Sequence, residues 1–191
     1  MNGPSPKVNP RKRNKFKVAG NNELASILKS PLGWMLLVTT TRGIRRLAFA
    51  DQQPSLVEIL ETFHPECKIS GPDSIQTFTN VITAWLKQPT NHLEVPLDIA
   101  GTDFQKHVWN ELGKIPAGQT RTYSEIAKRI GKPRAVRAVA SACGANPVAL
   151  VIPCHRVLGS NGKLCGFRWG LKRKEWLLKH ELPLALAELS A

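Results

Sequence analysis

Pro153-Cys154-His155-Arg156-Val157 sets a thiol behind a rigid proline and beside an imidazole and a guanidinium. Neighbouring positive charge favours the thiolate and can bring a cysteine pKa from ~8.5 down to ~3.5–7.5. A cysteine so placed is a candidate nucleophile. The alternative is an inert buried thiol. The apolar run at 149–152 reads as a strand leading into this segment, and adjacent strand residues point to opposite faces. The residue types leave both readings open. The other thiols, Cys67, Cys143 and Cys165, are scattered and form no CxxC pair. A disulfide framework and a structural zinc site therefore have no sequence support, and reduced thiols are expected.

Charge points to the partner. The 191 residues carry 27 Lys plus Arg against 14 Asp plus Glu, a formal net charge of +13. Such a balance favours a polyanion, most commonly nucleic acid. From Ile126 to Lys174 there is no acidic residue, while Lys128, Arg129, Lys132, Arg134, Arg137, Arg156, Lys163, Arg168, Lys172, Arg173 and Lys174 all fall there. Ordinary surfaces mix both signs, so a segregated stretch reads as phosphate-binding. Lys7, Arg11, Lys12, Arg13, Lys15 and Lys17 crowd a proline-containing, apolar-poor start. Residues 1–20 are therefore expected to be a disordered basic tail that adds solubility, loose phosphate contacts or a nuclear address. No apolar run approaches the ~20 residues of a membrane span, and no signal sequence is expected.

The elements that must position the thiol are legible in outline. Residues 34–41 and 44–50 read as two strands joined at Thr41-Arg42-Gly43. Ser55-Leu56-Val57-Glu58 resembles a capping box, followed by a stripe of Leu56, Ile59, Leu60 and Phe63. Ile75, Phe78, Val81, Ile82, Trp85 and Leu86 repeat the helical spacing. Residues 93–99 read as a short strand with Pro96 at an edge. Composition changes after Gly101. Asp103 is expected to cap a helix with Phe104, Val108 and Leu112 inside. Thr122-Tyr123-Ser124-Glu125 is a second capping box, opening a short helix that Gly131 stops. Pro133 then stands where a first turn would begin, ahead of an alanine-rich helix at about 134–143. Helix, glycine turn, small-residue helix is the helix-turn-helix pattern. The alanines at 135, 138, 140 and 142 allow close backbone approach, and Arg134 and Arg137 favour DNA as the surface approached.

Ile152-Pro153-Cys154-His155-Arg156-Val157 resembles the acceptor-cysteine signature of the O(6)-alkylguanine-DNA alkyltransferases, the methylated-DNA–protein-cysteine methyltransferases. Further matches stand in the family's order: Gly101-Thr102-Asp103-Phe104-Gln105 with Val108-Trp109, Ile115-Pro116-Ala117-Gly118, Tyr123 with Ile126-Ala127, Arg137-Ala138-Val139, Asn146-Pro147, then Lys174, Leu177-Leu178 and Glu181. The likeness is strong from about Gly101 to Glu181 and looser over 30–98. It implies an α/β fold: a small N-terminal α/β (ribonuclease H-like) domain at 21–100 and a mostly helical C-terminal domain at 101–191 carrying the helix-turn-helix.

The resemblance also implies roles. Cys154 would accept the alkyl group, His155 would take the thiol proton through a water, and Glu181 would orient His155. Asn146 would brace the active-site turn, and Tyr123 would donate toward the guanine leaving group. Arg137 would fill the gap left by the everted nucleotide, with Lys132, Arg134, Ala135, Ala138 and Thr122 on the DNA face. Pro153, Val157, Phe167 and Arg168 would form the base pocket. No metal and no cofactor are implied; Cys67, His64 and His92 are too few for the zinc some members carry. The partner would be double-stranded DNA containing O(6)-alkylguanine, with no membrane, met by a monomer in a bacterial cytoplasm or a eukaryotic nucleus.

Four positions depart from the usual pattern: Cys165 for Gly or Ser, Phe167 for Tyr, and Trp169 and Ala140 for Gly. The runs 137–143 and Arg168-Trp169-Gly170 look most like the C-terminal half of the bacterial adaptive-response (Ada) methyltransferase. The cysteine cluster of that protein's zinc module is not present, so a stand-alone repair protein is expected. A non-catalytic DNA-binding module and a Cys–His hydrolase are the competing classes. The first lacks an acceptor cysteine in this family, and the second fits poorly with an acid-free site region beside a DNA-binding helix.

Overall fold

The structure is a computed structural model that describes residues 23–70, 75–89 and 93–188. The basic tail and His92 lie outside the described residues. Strands β1 (Leu24–Ser30), β2 (Gly33–Thr40) and β3 (Gly43–Ala50) form an antiparallel meander, and β4 (Lys68–Ile69) pairs parallel to β1. The sheet order is β3-β2-β1-β4. Met35 to Thr40 are all buried, so central β2 is a continuous apolar and β-branched run rather than an alternating one. Helix α1 (Gln53–Phe63) packs on β2 and β3 through Leu56 and Leu60. Helix α2 (Gln76–Lys87) buries Phe78, Ile82, Trp85 and Leu86.

Helices α3 (Asp103–Leu112), α4 (Tyr123–Arg129) and α5 (Val136–Gly144) pack on one another, and α6 (Leu171–Glu188) closes the described chain. Two-residue strands β5 (Arg121–Thr122) and β6 (Val157–Leu158) pair in parallel. The helix-turn-helix is formed by α4, a turn at Gly131 with φ +72°, and α5. Its capping box is made as expected, with Thr122 Oγ1 accepting from Glu125 N at 3.2 Å. Trp109 Nε1 donates to Ala142 O at 2.8 Å and ties α3 to α5. The buried Glu111 carboxylate, bonded to Arg129 Nη1 at 3.2 Å, ties α3 to α4.

Several local expectations give way. Strand β1 was not foreseen. The Ser55 capping box does not form: α1 starts upstream, with Gln52 at its N-cap and Pro54 in the first turn, where a preset φ begins a helix without a cap. Thr102, not Asp103, caps α3, through a reciprocal box with Gln105 at 3.2 and 2.9 Å. Pro133 lies in a turn closed by Ala135 N to Lys132 O, so α5 begins at Val136. Residues 93–99 make one bridge, Leu97 to Ile44, because Pro96 has no N–H to extend the ladder. The run at 149–152 is a set of turns. The bridge to Leu47 is at Val148, just before the run, and Leu150 has φ +67°, which a strand does not accommodate.

Candidate active site

Asn146 builds the turn that presents the thiol. Its side-chain oxygen accepts from Val148 N at 2.9 Å, and its Nδ2 donates to Ile152 O at 2.8 Å and to Cys154 Sγ at 3.2 Å. These bonds satisfy polar groups inside the core and hold the left-handed Leu150. Cys154–Arg156 then form a single 3-10 turn, and β6 follows at once. Because β6 pairs with β5, which enters α4, two residue pairs connect the thiol to the helix-turn-helix.

The turn sends His155 and Arg156 inward to one carboxylate. His155 Nε2 lies 2.8 Å from Glu181 Oε1. Arg156 donates through Nε and Nη2 to both oxygens of Glu181 at 3.0 and 2.9 Å, and through Nη1 to Ile115 O at 2.6 Å. Gly118 N adds a bond at 3.3 Å. Burial alone would raise the Glu181 pKa, but the bonds and charges of His155 and Arg156 outweigh it and hold it at about 2. Burial pushes the His155 pKa below the usual histidine range despite Glu181. The ring is therefore neutral at pH 7. A carboxylate only accepts, so the ring proton sits on Nε2 and Nδ1 is an open acceptor. Nδ1 is buried with no protein partner, a state shared among the described side chains only by Thr39 Oγ1.

Cys154 is 4% exposed. Burial raises its thiol to about 11, outweighing the Asn146 bond and the Lys174 charge that favour the thiolate. The expected depression of this pKa is thus reversed, for a reason visible in the site. The Arg156 cation is spent on Glu181, and His155 carries no charge. In the resting protein Cys154 is a thiol that needs a base.

The thiol borders a cavity of about 540 Å³. Tyr123 of α4, Ala140, Cys143 and Gly144 of α5, and residues 165–168 form the rest of its lining. The Tyr123 hydroxyl is 3.5 Å from Gly166 O, and burial pushes its pKa above the usual tyrosine range. Phe167 stands edge-on to His155, with ring centroids 6.5 Å apart. On the adjoining surface Lys132, Arg134, Arg137 and Ala138 are exposed, while Ala135 and Thr122 are half-buried. The Thr122 hydroxyl is committed to Glu125.

Residues 103–182 match the 6-O-methylguanine DNA methyltransferase, DNA binding domain family. A methylated-DNA–protein-cysteine methyltransferase of Methanosarcina mazei is 42% identical over 156 residues, covering 81% of this chain and 94% of the relative. The chain belongs to the methylated-DNA–protein-cysteine methyltransferase family. The bifunctional transcriptional activator/DNA repair enzyme Ada of Escherichia coli is 44% identical over 151 residues, 78% of this chain. The chain spans 43% of that relative's length. The crystal structure of Mycobacterium tuberculosis OGT in complex with DNA aligns with TM-score 0.73 and 34% identity, covering 84% of this chain and 93% of that one.

In this member of the methyltransferase family, Cys154, His155, Asn146, Glu181 and Tyr123 gather at the cavity or directly behind it. Pro153 and Val157 do not line it. The 3-10 turn faces both into the core, and Val157 O accepts from Lys174 Nζ at 2.5 Å. Phe167 and Arg168 do line it, as do Cys165 and Ala140. Two supports take roles the sequence did not suggest: Arg156, read as a charge favouring the thiolate, shares Glu181, and Lys174 is fully buried and also donates to Cys165 O and Gly166 O at 2.7 and 3.3 Å. Both stand in motifs that the resemblance singles out, Arg156 in the signature around Cys154 and Lys174 ahead of Glu181, but a cation inside a basic stretch reads locally as surface. Among the described residues no group of three His, Cys, Asp or Glu could hold a metal. His64 is engaged by Glu23 and Arg46 at 2.7 and 2.9 Å. Among the described residues no helix is long and apolar enough to cross a membrane.

Proposed function

We propose that this chain repairs DNA by direct reversal. It transfers the alkyl group, foremost methyl, from O(6)-alkylguanine in duplex DNA to Cys154, and acts less well on O(4)-methylthymine. The single observation that carries the reading is the thiol bordering a base-sized cavity, with a neutral imidazole held behind it by a buried carboxylate.

An alkyl carbon inside a stacked duplex is closed to in-line attack, so the nucleotide must be everted at a cost of a few kcal/mol. Phosphate contacts from the exposed cations around α5, and Arg137 entering the vacated space, offset that cost. A minor-groove approach suits a lesion found in any sequence. With the base in the cavity, the Cys154 proton passes to His155 Nδ1 through a water, and Glu181 stabilises the imidazolium that forms. Sulfur attacks the alkyl carbon. The C–O bond breaks with its electron pair on guanine O6, the Tyr123 hydroxyl donates to the departing base, and the proton released by Cys154 returns through water to replace the one the base takes from Tyr123. The product is a thioether that no neighbouring group can cleave. The protein therefore acts once, irreversibly, as a monomer with no cofactor. We assign DNA binding and alkyl acceptance to a unit from about Gly101 onward, with the sheet forming a unit at 21–100. DNA as substrate places the protein in a bacterial cytoplasm or a eukaryotic nucleus.

The test is intact mass after incubation with a duplex containing O(6)-methylguanine. One methyl per protein, on Cys154, is expected. Cys154→Ala should take up none while still binding duplex. Methyl uptake by Cys154→Ala overturns the assignment of the acceptor, and no uptake by the wild type overturns the function.

A further inference from the structure

The cavity wall at 165–168 belongs to no helix or strand, so other elements must hold it. One end is anchored locally: the Lys174 ammonium binds the carbonyls of Cys165 and Gly166. The next cation back along α6 reaches to the other side. Arg173 Nη1 donates to Trp169 O at 2.7 Å, directly beyond the wall. The same guanidinium donates through Nε to Leu32 O at 2.6 Å and through Nη2 to Asp51 Oδ1 at 2.6 Å. Leu32 lies in the β1–β2 turn, and Asp51 follows β3. One side chain thus fastens the end of the wall to two corners of the sheet, using all three of its nitrogens.

Two further features fit that role. Gly33 has φ +93°, and a Cβ there would come 2.8 Å from Ala50 O and 3.0 Å from Arg173 Nη2, so glycine keeps the guanidinium's seat open. A second, softer link lies beside it: the Arg168 guanidinium is 5.7 Å from the ring centroid of Phe63, at the end of α1. Arg173 does not itself line the cavity, and its hydrogen bonds go to Leu32, Trp169 and Asp51. Charge-assisted bonds to two carbonyls in a site 14% exposed are strong and directional, whereas the exposed Asp51 contributes little.

We infer that Arg173 is a positioning residue for alkyl transfer, coupling the N-terminal sheet to the wall against which the everted base must seat. The inference rests on the alkyl-transfer reading for its chemistry, though not for its geometry. A loosened wall leaves DNA binding at the helix-turn-helix intact and misplaces the base relative to sulfur.

The test compares wild type, Arg173→Ala and Arg173→Lys in single-turnover methyl transfer from an O(6)-methylguanine duplex, with hydrogen exchange on the free proteins. At saturating duplex the Arg173→Ala rate constant should fall about ten- to hundredfold. The final methyl uptake per folded protein and the half-saturating duplex concentration should stay within about twofold of wild type. Arg173→Lys, able to keep one of the three acceptors, should fall between and serves if the alanine variant does not fold. Amides of 165–169 should exchange faster in both variants, and those of 136–144 should not. Unchanged rate constants, or a loss confined to final uptake, overturn the inference while wild-type transfer stands. No transfer by wild type, with 165–169 still deprotected in the variants, overturns the function and leaves the wall coupling in place.

Discussion

His155 Nε2 and Glu181 Oε1 lie 2.8 Å apart with both side chains fully shielded from solvent. That contact decides which ring nitrogen carries the proton. It leaves Nδ1 as a buried acceptor with no protein partner, one residue along the chain from a thiol whose burial keeps it protonated. The resting site therefore holds acid and base uncharged, and their ionisation is coupled to the reaction.

Glu181→Gln tests the contact. An amide can donate to Nε2 and so move the ring proton to Nδ1, which removes the base. Transfer should slow by about 10⁴-fold, the scale seen when a triad carboxylate becomes an amide. Duplex affinity should hold, since Glu181 is fully buried whereas the cations Lys132, Arg134 and Arg137 are exposed. Arg156 also loses its counter-charge in the core, at a cost of about 3–5 kcal/mol. Calorimetry and single-turnover rates read the two effects separately.

The raised Cys154 pKa predicts slow capture by iodoacetamide in the free protein at neutral pH. The rate should climb with pH toward about 11, tracking the thiolate fraction. Asn146→Ala removes a bond that favours the thiolate and should move the profile further up. Mapping the modified peptide checks both, and a profile centred near neutrality would contradict the buried-thiol geometry.

Stability should decline on both sides of neutrality. His155 and His64 have folded pKa values below 6.5, both set by burial. As pH falls below about 6.5 the unfolded chain takes up protons that the folded chain refuses, so stability drops. Glu181, held at about 2 when folded against 4.5 unfolded, adds a further loss as pH falls from 4.5 toward 2. On the alkaline side Cys154 and Cys143 are raised from 9 to about 11 and about 12 by burial. The unfolded chain then releases protons first, and stability falls above pH 9. Denaturant midpoints across pH should show a plateau between about 6.5 and 9.

Arg137 is exposed on α5 and, among the described residues, carries no ion pair. If it fills the duplex after eversion, Arg137→Ala should slow repair of duplex by about tenfold or more while leaving reaction with free O(6)-methylguanine unchanged. Equal slowing of both would remove Arg137 from the eversion step.

Local patterns were legible wherever neighbours in sequence do the work. The Thr122–Glu125 box, the Gly131 turn and strands β2 and β3 stand as read, because caps, positive φ and apolar runs act over a few residues. The misreadings share a cause. At 149–152 an apolar run suggested a strand, but the Asn146 side chain curls it into turns. At Ser55 and Asp103 good capping residues stood one to three positions from the caps used, because Pro54 and the Thr102–Gln105 pair set the starts. Pro153 and Val157 sit beside the thiol in sequence and behind it in space, since a 3-10 turn rotates each successive side chain.

The order of thiol, imidazole, guanidinium and distant carboxylate along the chain, together with the cations around 126–174, was sufficient by itself to point to the family and to a polyanionic partner. What the tertiary structure alone decided is the state of those groups. Glu181 stands 26 residues from His155 and 25 from Arg156, and it claims both. The Arg156 charge beside Cys154 in sequence is thereby spent elsewhere, and the thiol rises where local composition favoured a fall. Ionisation follows from which atoms exclude water and which charges remain unpaired. Both come from segments that meet only when the chain is folded.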